Sequence, residues 1–443
     1  MDPAASVSPP GGAAGPLAAW LARLEALQPE RIELGLERVR TVMAAMVLPA
    51  RLPVPTILVA GTNGKGSAVA YLEAILAAAG LRVGAYTSPH LWRYNERVRI
   101  GGRPAADEVL VPAFEAVEAG RREVPLTYFE FGTLAAVHAF LQARVEVAVL
   151  EVGLGGRLDA VNAFTPDLSL IMRLDVDHSA WLGPDRESIA REKAGIFRPG
   201  VPAVCADLDP PAVIGAEAAR LGVPLWQAGR DFRAAPIDAA RWDWLGPDGV
   251  LRGLPMPSLR GGHQLHNAAA SIAALRAQRV LPPLPEAALR EGLRRARVPG
   301  RFQLLPPQRD QGPAWLLDVA HNPDAARALA AGLRECGTRG RVLAVVGMLA
   351  DKDHRATLRP LLDEVTAWFC ASLPGPRGTD AGTLAGVLED LGAQRVSAHA
   401  GVMEALQAAD ASAGPEDLVL VFGSFHTVAA LPEAVAMRSF LEE

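Results

Sequence analysis

The chain has 443 residues, half of them hydrophobic and 21% charged, with 44 basic against 49 acidic residues and a net charge of −5. That composition excludes a disordered chain, and the lack of a basic excess argues against nucleic-acid binding. Length alone suggests two or three domains.

Residues 1–17 are rich in Ala, Pro and Gly and carry no basic segment followed by an apolar one, so they read as a flexible tail and not as a signal peptide. The most apolar stretch, 41–60, is broken by Arg51 and by Pro49, Pro53 and Pro55, so no membrane span is expected. The run 56–60 reads as a buried strand. A helix follows over 66–79, with Val69, Leu72, Leu76 and Ala79 at helical spacing. Strands are expected at 82–87, 145–152 and 167–174, with a helix at 131–142 between the first two. Strands alternating with helices argue for a parallel sheet. The pattern changes at 236–254, where Trp242, Trp244 and Gly249 suggest a hairpin or edge excursion, and a helix follows at 266–278.

Beyond Arg297-Val-Pro-Gly-Arg301 the alternation restarts. Strands are expected at 315–319, 341–346, 366–371 and 418–422, with helices at 324–335 and 356–364. This reads as a second α/β domain of ordinary size. The boundary is expected near Pro299, giving a tail 1–17, a first domain 18–298 and a C-terminal domain 299–443.

Chemistry concentrates at strand ends. Gly61, Thr62, Asn63, Gly64, Lys65, Gly66 and Ser67 lie between a strand and a helix, the context a phosphate loop requires. Glycines admit backbone N–H groups to a phosphate, Lys65 supplies charge, and the helix N-terminus adds its dipole. Glu151 ends an apolar strand, where a carboxylate suits Mg²⁺. His178 follows another strand end in Asp175-Val-Asp-His178. In the second domain, Asp318-Val-Ala-His321, Gly347-Met-Leu-Ala-Asp351-Lys-Asp353 and Gly423-Ser424-Phe-His426 hold the same kind of position, where a plain turn or helix cap is the alternative. Only three of the 44 basic residues are lysines, Lys65, Lys193 and Lys352. Codon bias explains the excess of arginine. A compact, reactive amine is what arginine cannot replace.

Taken together, these motifs resemble the folylpolyglutamate synthase and dihydrofolate synthase family of Mur ligases. The likeness extends from Arg31-Ile-Glu-Leu-Gly-Leu-Glu-Arg38 through the phosphate loop, Thr87-Ser-Pro-His-Leu91, Asn95-Glu-Arg97, Tyr128-Phe-Glu-Phe131 and Glu151-Val-Gly-Leu-Gly-Gly-Arg-Leu-Asp159. It continues through Asp177-His-Ser-Ala-Trp-Leu-Gly183, Arg191 to Phe197, His266-Asn267, Pro299-Gly-Arg301 and Asp318 to Pro323, and ends at Phe422-Gly-Ser-Phe-His426. The resemblance implies an α/β fold with an N-terminal P-loop ATPase domain on a mainly parallel sheet and a C-terminal Rossmann-like domain. It implies an ATP-dependent ligase that adds L-glutamate to dihydropteroate and to the γ-carboxyl of reduced folates through an acyl phosphate. The alternatives are a synthase acting on folates alone and another Mur-type amino-acid ligase.

ATP would be held by the phosphate loop with Asn267, Arg301 and Asp318. Mg²⁺, as two ions, would be held by Ser67, Ser88, Glu151 and His178, and Lys193 would be carbamylated. A carbamate turns a cation into an anionic oxygen ligand. Tyr128, Phe129, Glu130, Phe131 and Asp159 would bind the pterin, and His321 and Ser424 the incoming glutamate. Lys65, Lys193 and His321 are the expected catalytic residues. The family further implies a cytoplasmic monomer with small-molecule partners only, and neither nucleic acid nor membrane. No motif covers 206–257.

Overall fold

The computed structural model describes residues 15–26, 34–307 and 310–437. Residues 1–14 of the expected tail and Arg31 to Glu33 of the first motif lie outside the described residues. Leu17 is buried within a helix Pro16–Ala26. Contacts divide the chain into two units, Met1–Ser258 with Leu265–Ala296, and Leu259–Gln264 with Arg297–Glu443.

The first unit is built on an eight-stranded sheet. Its strands are β1 (Thr56–Ala60), β2 (Val83–Tyr86), β3 (Val98–Ile100), β4 (Arg103–Pro104), β5 (Val147–Glu151), β6 (Leu168–Ile171), β7 (Ala203–Cys205) and β8 (Leu225–Gln227), in the order β4-β3-β2-β5-β1-β6-β7-β8. Every pairing from β2 to β8 along that order is parallel, and only the edge pairings β2–β3 and β3–β4 are antiparallel. Strands β1 and β5 are buried at every residue. That burial explains why they read as unbroken apolar runs without alternation.

A separate three-stranded antiparallel sheet follows, with β9 (Arg233–Pro236), β10 (Arg241–Gly246) and β11 (Gly249–Pro255) in the order β11-β10-β9. The hairpin expected at 236–254 is therefore β10 and β11, and β9 is an added third strand that ends on a proline.

The second unit carries β12 (Gln303–Leu305), β13 (Ala314–Leu317), β14 (Val342–Val346), β15 (Ala367–Ala371), β16 (Val396–His399) and β17 (Leu418–Phe422), in the order β12-β13-β17-β14-β15-β16. All its pairings are parallel except β12 with β13. The helix expected over 356–364 is shorter, His354–Leu358 followed by a 3₁₀ turn Arg359–Leu361. Pro360 has no N–H to carry an α-helical ladder onward, which accounts for the break.

Candidate active site

The phosphate loop leaves β1 and enters the Lys65–Ala78 helix through Gly64, which has φ +87. A side chain there would also strike the Asn267 amide, since an ideal Cβ lies 2.8 Å from Asn267 Oδ1. Glycine is thus required twice at one position, by backbone conformation and by close approach. The same contact sets Asn267 over the N-terminus of the helix. On the other side the loop is tied to the end of β6. The Thr62 N–H donates to the Arg173 carbonyl at 2.8 Å. The Thr62 hydroxyl bonds both the carbonyl of Asp175, at 2.8 Å, and its N–H, at 3.1 Å.

Two amines converge on one carbonyl. Lys65 Nζ donates to Gly61 O at 2.9 Å and to Thr62 O at 3.2 Å. Lys193 Nζ, from the last turn of the Arg186–Ala194 helix, donates to the same Gly61 O at 3.0 Å. Lys193 is only 4% exposed. Burial, reinforced by the Lys65 charge and opposed by Asp177 and Asp159, pushes its amine down to about 7. A lysine in that state is half neutral near neutral pH and is nucleophilic.

The position of Lys193 depends on tight packing of the Gly153–Arg157 loop. An ideal Cβ on Gly156 would lie 2.7 Å from Glu192 O and 3.0 Å from Lys193 Cα. We expect Gly156→Ala to cost about 1–3 kcal/mol by overpacking. An unchanged urea midpoint, with unchanged turnover, would refute this account of the loop.

Glu151 closes β5 and is buried. The β1–β5 register sets it opposite Val59, two residues before Gly61. Its Oε2 accepts the Ser88 N–H at 3.2 Å and lies 4.0 Å from an ideal Cβ on Gly66. Strand pairing thus brings Glu151, the Ser88 backbone and the first helical turn, with buried Ser67, to one place. His178 has φ 53, unusual for a side-chain-bearing residue. Its N–H donates to Asp177 Oδ1 at 2.8 Å, and its Nε2 lies 4.0 Å from Asp177 Oδ2. Among the described residues no three His, Cys, Asp or Glu side chains are grouped closely enough to hold a metal ion by themselves. An ion beside Glu151 would need hydroxyl, phosphate or water oxygens as well, which is how Mg²⁺ is commonly bound.

The run Tyr128 to Phe131 does not act as one group. It forms the first turn of the Tyr128–Gln142 helix, so successive side chains point in different directions. Tyr128 is buried, with the Arg97 guanidinium 5.2 Å from its ring centroid. Phe131 packs edge-on against Phe114 at 5.6 Å in the core. Glu130 is engaged on both oxygens, by the Thr127 N–H at 2.7 Å in a capping box and by Arg38 at 3.0 Å. Phe129 alone of the four is partly exposed. It lies against Gly153, where an ideal Cβ would meet its ring at 2.6 Å. Asp159 adjoins the same loop, accepting the Leu154 N–H at 2.8 Å and the Val161 N–H at 3.1 Å. Burial pushes its carboxyl up to about 7 against the pull of those N–H groups and of Lys193.

In the second unit, Asp318 follows β13 and accepts N–H bonds from Phe302 at 2.8 Å and Ala320 at 2.7 Å. Burial raises its pKa even though the Arg301 charge opposes the shift. Arg301 lies over the Phe425 ring at 5.2 Å, and the His321 ring is 6.4 Å from Phe425. His321 Nδ1 is 2.8 Å from the Val319 carbonyl. Ser424 caps the Phe425–Ala429 helix, accepting the Thr427 N–H at 3.0 Å. The side chain of Lys352 is 7% exposed and its Nζ stands 3.9 Å from Asp351, which also pairs with Arg377 at 3.0 Å.

Sequence reasoning missed the arginines that hold the Thr87–Leu91 loop. Arg99 donates to Thr87 Oγ1 at 2.9 Å and to Glu73 at 2.8 Å, and Arg97 Nε donates to His90 Nδ1 at 2.8 Å. Glu96 accepts the N–H groups of Leu91 and Trp92 at 2.8 and 2.9 Å. The only signal was Asn95-Glu-Arg97, a motif to which no task had been attached.

Residues 300–425 match the Mur ligase glutamate ligase domain. The chain is 45% identical over 429 residues to the Escherichia coli dihydrofolate synthase/folylpolyglutamate synthase, covering 96% of this chain and 97% of that protein. The solved structure of E. coli FolC in complex with DHPP and ADP superposes with a TM-score of 0.88 at 45% identity, covering 96% and 99% of the two chains. A bifunctional folylpolyglutamate synthase/dihydrofolate synthase with Mn, AMPPNP and L-glutamate bound gives 0.85 at 46% identity, covering 95% and 98%. With its phosphate loop on a mainly parallel sheet and its second, mixed sheet, the chain belongs to the dihydrofolate synthase/folylpolyglutamate synthase family of Mur ligases.

Proposed function

We propose that this protein joins L-glutamate to dihydropteroate and to the γ-carboxyl of reduced folates at the expense of ATP. The observation that carries this reading is the convergence of Lys65 and Lys193 on Gly61 O, beside the phosphate loop and on the same strand ends as Glu151. Loop N–H groups and Lys65 hold the ATP phosphates, and Asn267, Arg301 and Asp318 contact the nucleotide. A carboxylate oxygen of the pterin substrate attacks the γ-phosphorus and ADP leaves, giving an acyl phosphate. Lys65 offsets the charge that builds up. The glutamate amine then attacks the acyl carbon, the tetrahedral adduct expels phosphate, and the amine loses a proton. His321 suits that proton transfer, because an Nδ1–H directed at Val319 O leaves the lone pair on Nε2.

The oxygen donors Glu151, Ser67 and Ser88, with His178, fit Mg²⁺. The ions, two of them in this reading, supply Lewis-acid stabilisation of phosphoryl oxygens when bound. Lys193 is carbamylated: its neutral amine adds CO₂ and loses one proton, leaving an N-linked carboxylate. The amine's shift to about 7 supports this, because only the neutral form reacts. Phe129 and Asp159 flank the pterin. Ser424 supports the glutamate subsite by fixing the start of its helix. In this reading the first unit is the ATP-binding domain and the second the ligase domain, with the expected boundary near Pro299 falling close to the Ala296/Arg297 division and only 259–264 changing sides. The protein works as a cytoplasmic monomer. No helix among the described residues is long and apolar enough to cross a membrane.

The test uses purified protein with ATP, Mg²⁺ and L-glutamate, offered dihydropteroate and tetrahydrofolate separately. Glutamate-dependent phosphate release is expected with both. Release with tetrahydrofolate alone would leave a synthase acting only on folates, and release with neither would overturn the reading.

A further inference from the structure

The three-stranded sheet β9–β11 carries no motif, yet it meets the helix that bears Asn267. Trp244 of β10 is fully buried, and its indole N–H donates to the Ala269 carbonyl at 3.0 Å. Ala269 lies two residues beyond Asn267 in the Gly262–Ala277 helix. The indole is fixed in turn. Phe232 stacks on it with centroids 6.5 Å apart, and Arg276 of the same helix lies over it at 5.4 Å. Gly246 clears room for it, because an ideal Cβ there would come within 1.9 Å of the ring. At the helix itself, the Ser271 hydroxyl bonds the Asn267 carbonyl at 2.9 Å. The Asn267 amide sits over Gly64 at the head of the phosphate loop. One chain of contacts thus runs from the unassigned sheet to the phosphate loop, entirely within the first unit.

We infer that Trp244 is a positioning residue for ATP, holding the Gly262–Ala277 helix at the depth and rotation that place the Asn267 amide on the phosphate loop. The inference rests on the reading of Asn267 as a nucleotide contact. A buried side chain that fixes a ligand-binding residue raises affinity by removing the cost of ordering it. Trp242 supplies a control from the same sheet. It is equally buried, but its indole N–H donates to Pro255 O at 2.9 Å, a residue of the sheet itself and not of the helix.

The test compares Trp244→Phe, Trp242→Phe, Asn267→Ala and the Trp244→Phe/Asn267→Ala double variant. KM for ATP, KM for glutamate, kcat and the urea midpoint are measured for each. Losing one hydrogen bond corresponds to a change of roughly fivefold. Trp244→Phe is expected to raise KM for ATP by about that factor and to leave KM for glutamate unchanged. Trp242→Phe is expected to lower the urea midpoint to a similar extent without moving KM for ATP. In the Asn267→Ala background, Trp244→Phe is expected to add nothing further. An unmoved KM for ATP in Trp244→Phe, equal shifts in both tryptophan variants, or independent multiplication in the double variant would overturn the inference while leaving Asn267 as a nucleotide contact. An unmoved KM for ATP in Asn267→Ala would overturn both.

Discussion

Replacing Lys193 with alanine is expected to lower glutamate-dependent phosphate release by roughly 10³-fold or more, the scale on which removal of a preorganised charge acts at a reacting phosphoryl or acyl group. Two physical roles are lost together: the donor to Gly61 O and, in the carbamate reading, the amine that would add CO₂. Short carboxylic acids such as acetate are expected to restore part of the activity, because the truncated side chain leaves room for a free carboxylate. Lys193→Arg is expected to stay inactive, since a guanidinium keeps the charge and cannot form the carbamate. Mass spectrometry of the native protein should show a gain on Lys193 that is lost in CO₂-free acid. Full turnover by Lys193→Ala would sink the carbamate reading, and rescue failing while Lys193→Arg works would replace it with a simple electrostatic role.

Lys193 also makes a stability prediction with a definite sign. Its folded pKa, about 7, lies below the unfolded value of 10.5, so the unfolded chain binds more protons between those values. The stability that this group contributes is present above 10.5 and is lost as the pH falls through 7. In CO₂-free buffer the urea midpoint of the native protein should therefore rise from pH 7 to 10 relative to Lys193→Met, which has no proton to lose.

Buried parallel strands were the most legible part of the fold, because a strand covered on both faces has no alternation to misread. Strand β17 was expected at 418–422 and is found at Leu418–Phe422. Helix starts were less so, and the reason bears on the site. Thr127 and Glu130 form a capping box, a pattern visible in sequence, while the family resemblance sets the same Glu130 among the pterin ligands. Ser424 shows the same ambiguity, a polar residue at a strand end whose hydroxyl is engaged as a helix cap. Local sequence cannot separate these uses, since caps and ligand contacts both favour small polar or acidic residues at helix N-termini. Scarcity worked better. Lys65 and Lys193 were conspicuous as rare lysines, and they meet at one carbonyl. Arg99, which braces the neighbouring loop with Arg97, is one among many arginines and stands outside every motif. Trp244 marks a hairpin in the sequence but not its tie to the helix, because its bond to Ala269 joins residues 25 apart.

Asp159 is the second residue whose removal should have a large effect. A pterin edge presents N–H donors, and an ionised carboxylate can accept two of them at once. The Asp159 carboxylate accepts the Leu154 and Val161 N–H groups on separate oxygens, with the Gly153 N–H also directed at it, and a carboxylate has about four acceptor sites in all. Asp159→Ala is therefore expected to raise KM for dihydropteroate by about 10²-fold, the worth of two hydrogen bonds to a charged group. Its pH dependence is the sharper test. With the pKa raised from 3.8 to about 7 by burial, the free site holds a proton below pH 7 and must release it to accept from the pterin. Affinity should fall by up to about tenfold for each unit below 7 and level off above it. Folding stability should move with the same proton: the contribution of Asp159 is present below 3.8 and is lost as pH rises through 7. Asp159→Asn, which does not titrate, should flatten both profiles. If dihydropteroate binding by the native protein is flat from pH 5 to 8, or if the Asn variant keeps the native slope, the carboxylate at Asp159 is not what recognises the pterin, and its bonds to the backbone of its own loop are its whole task.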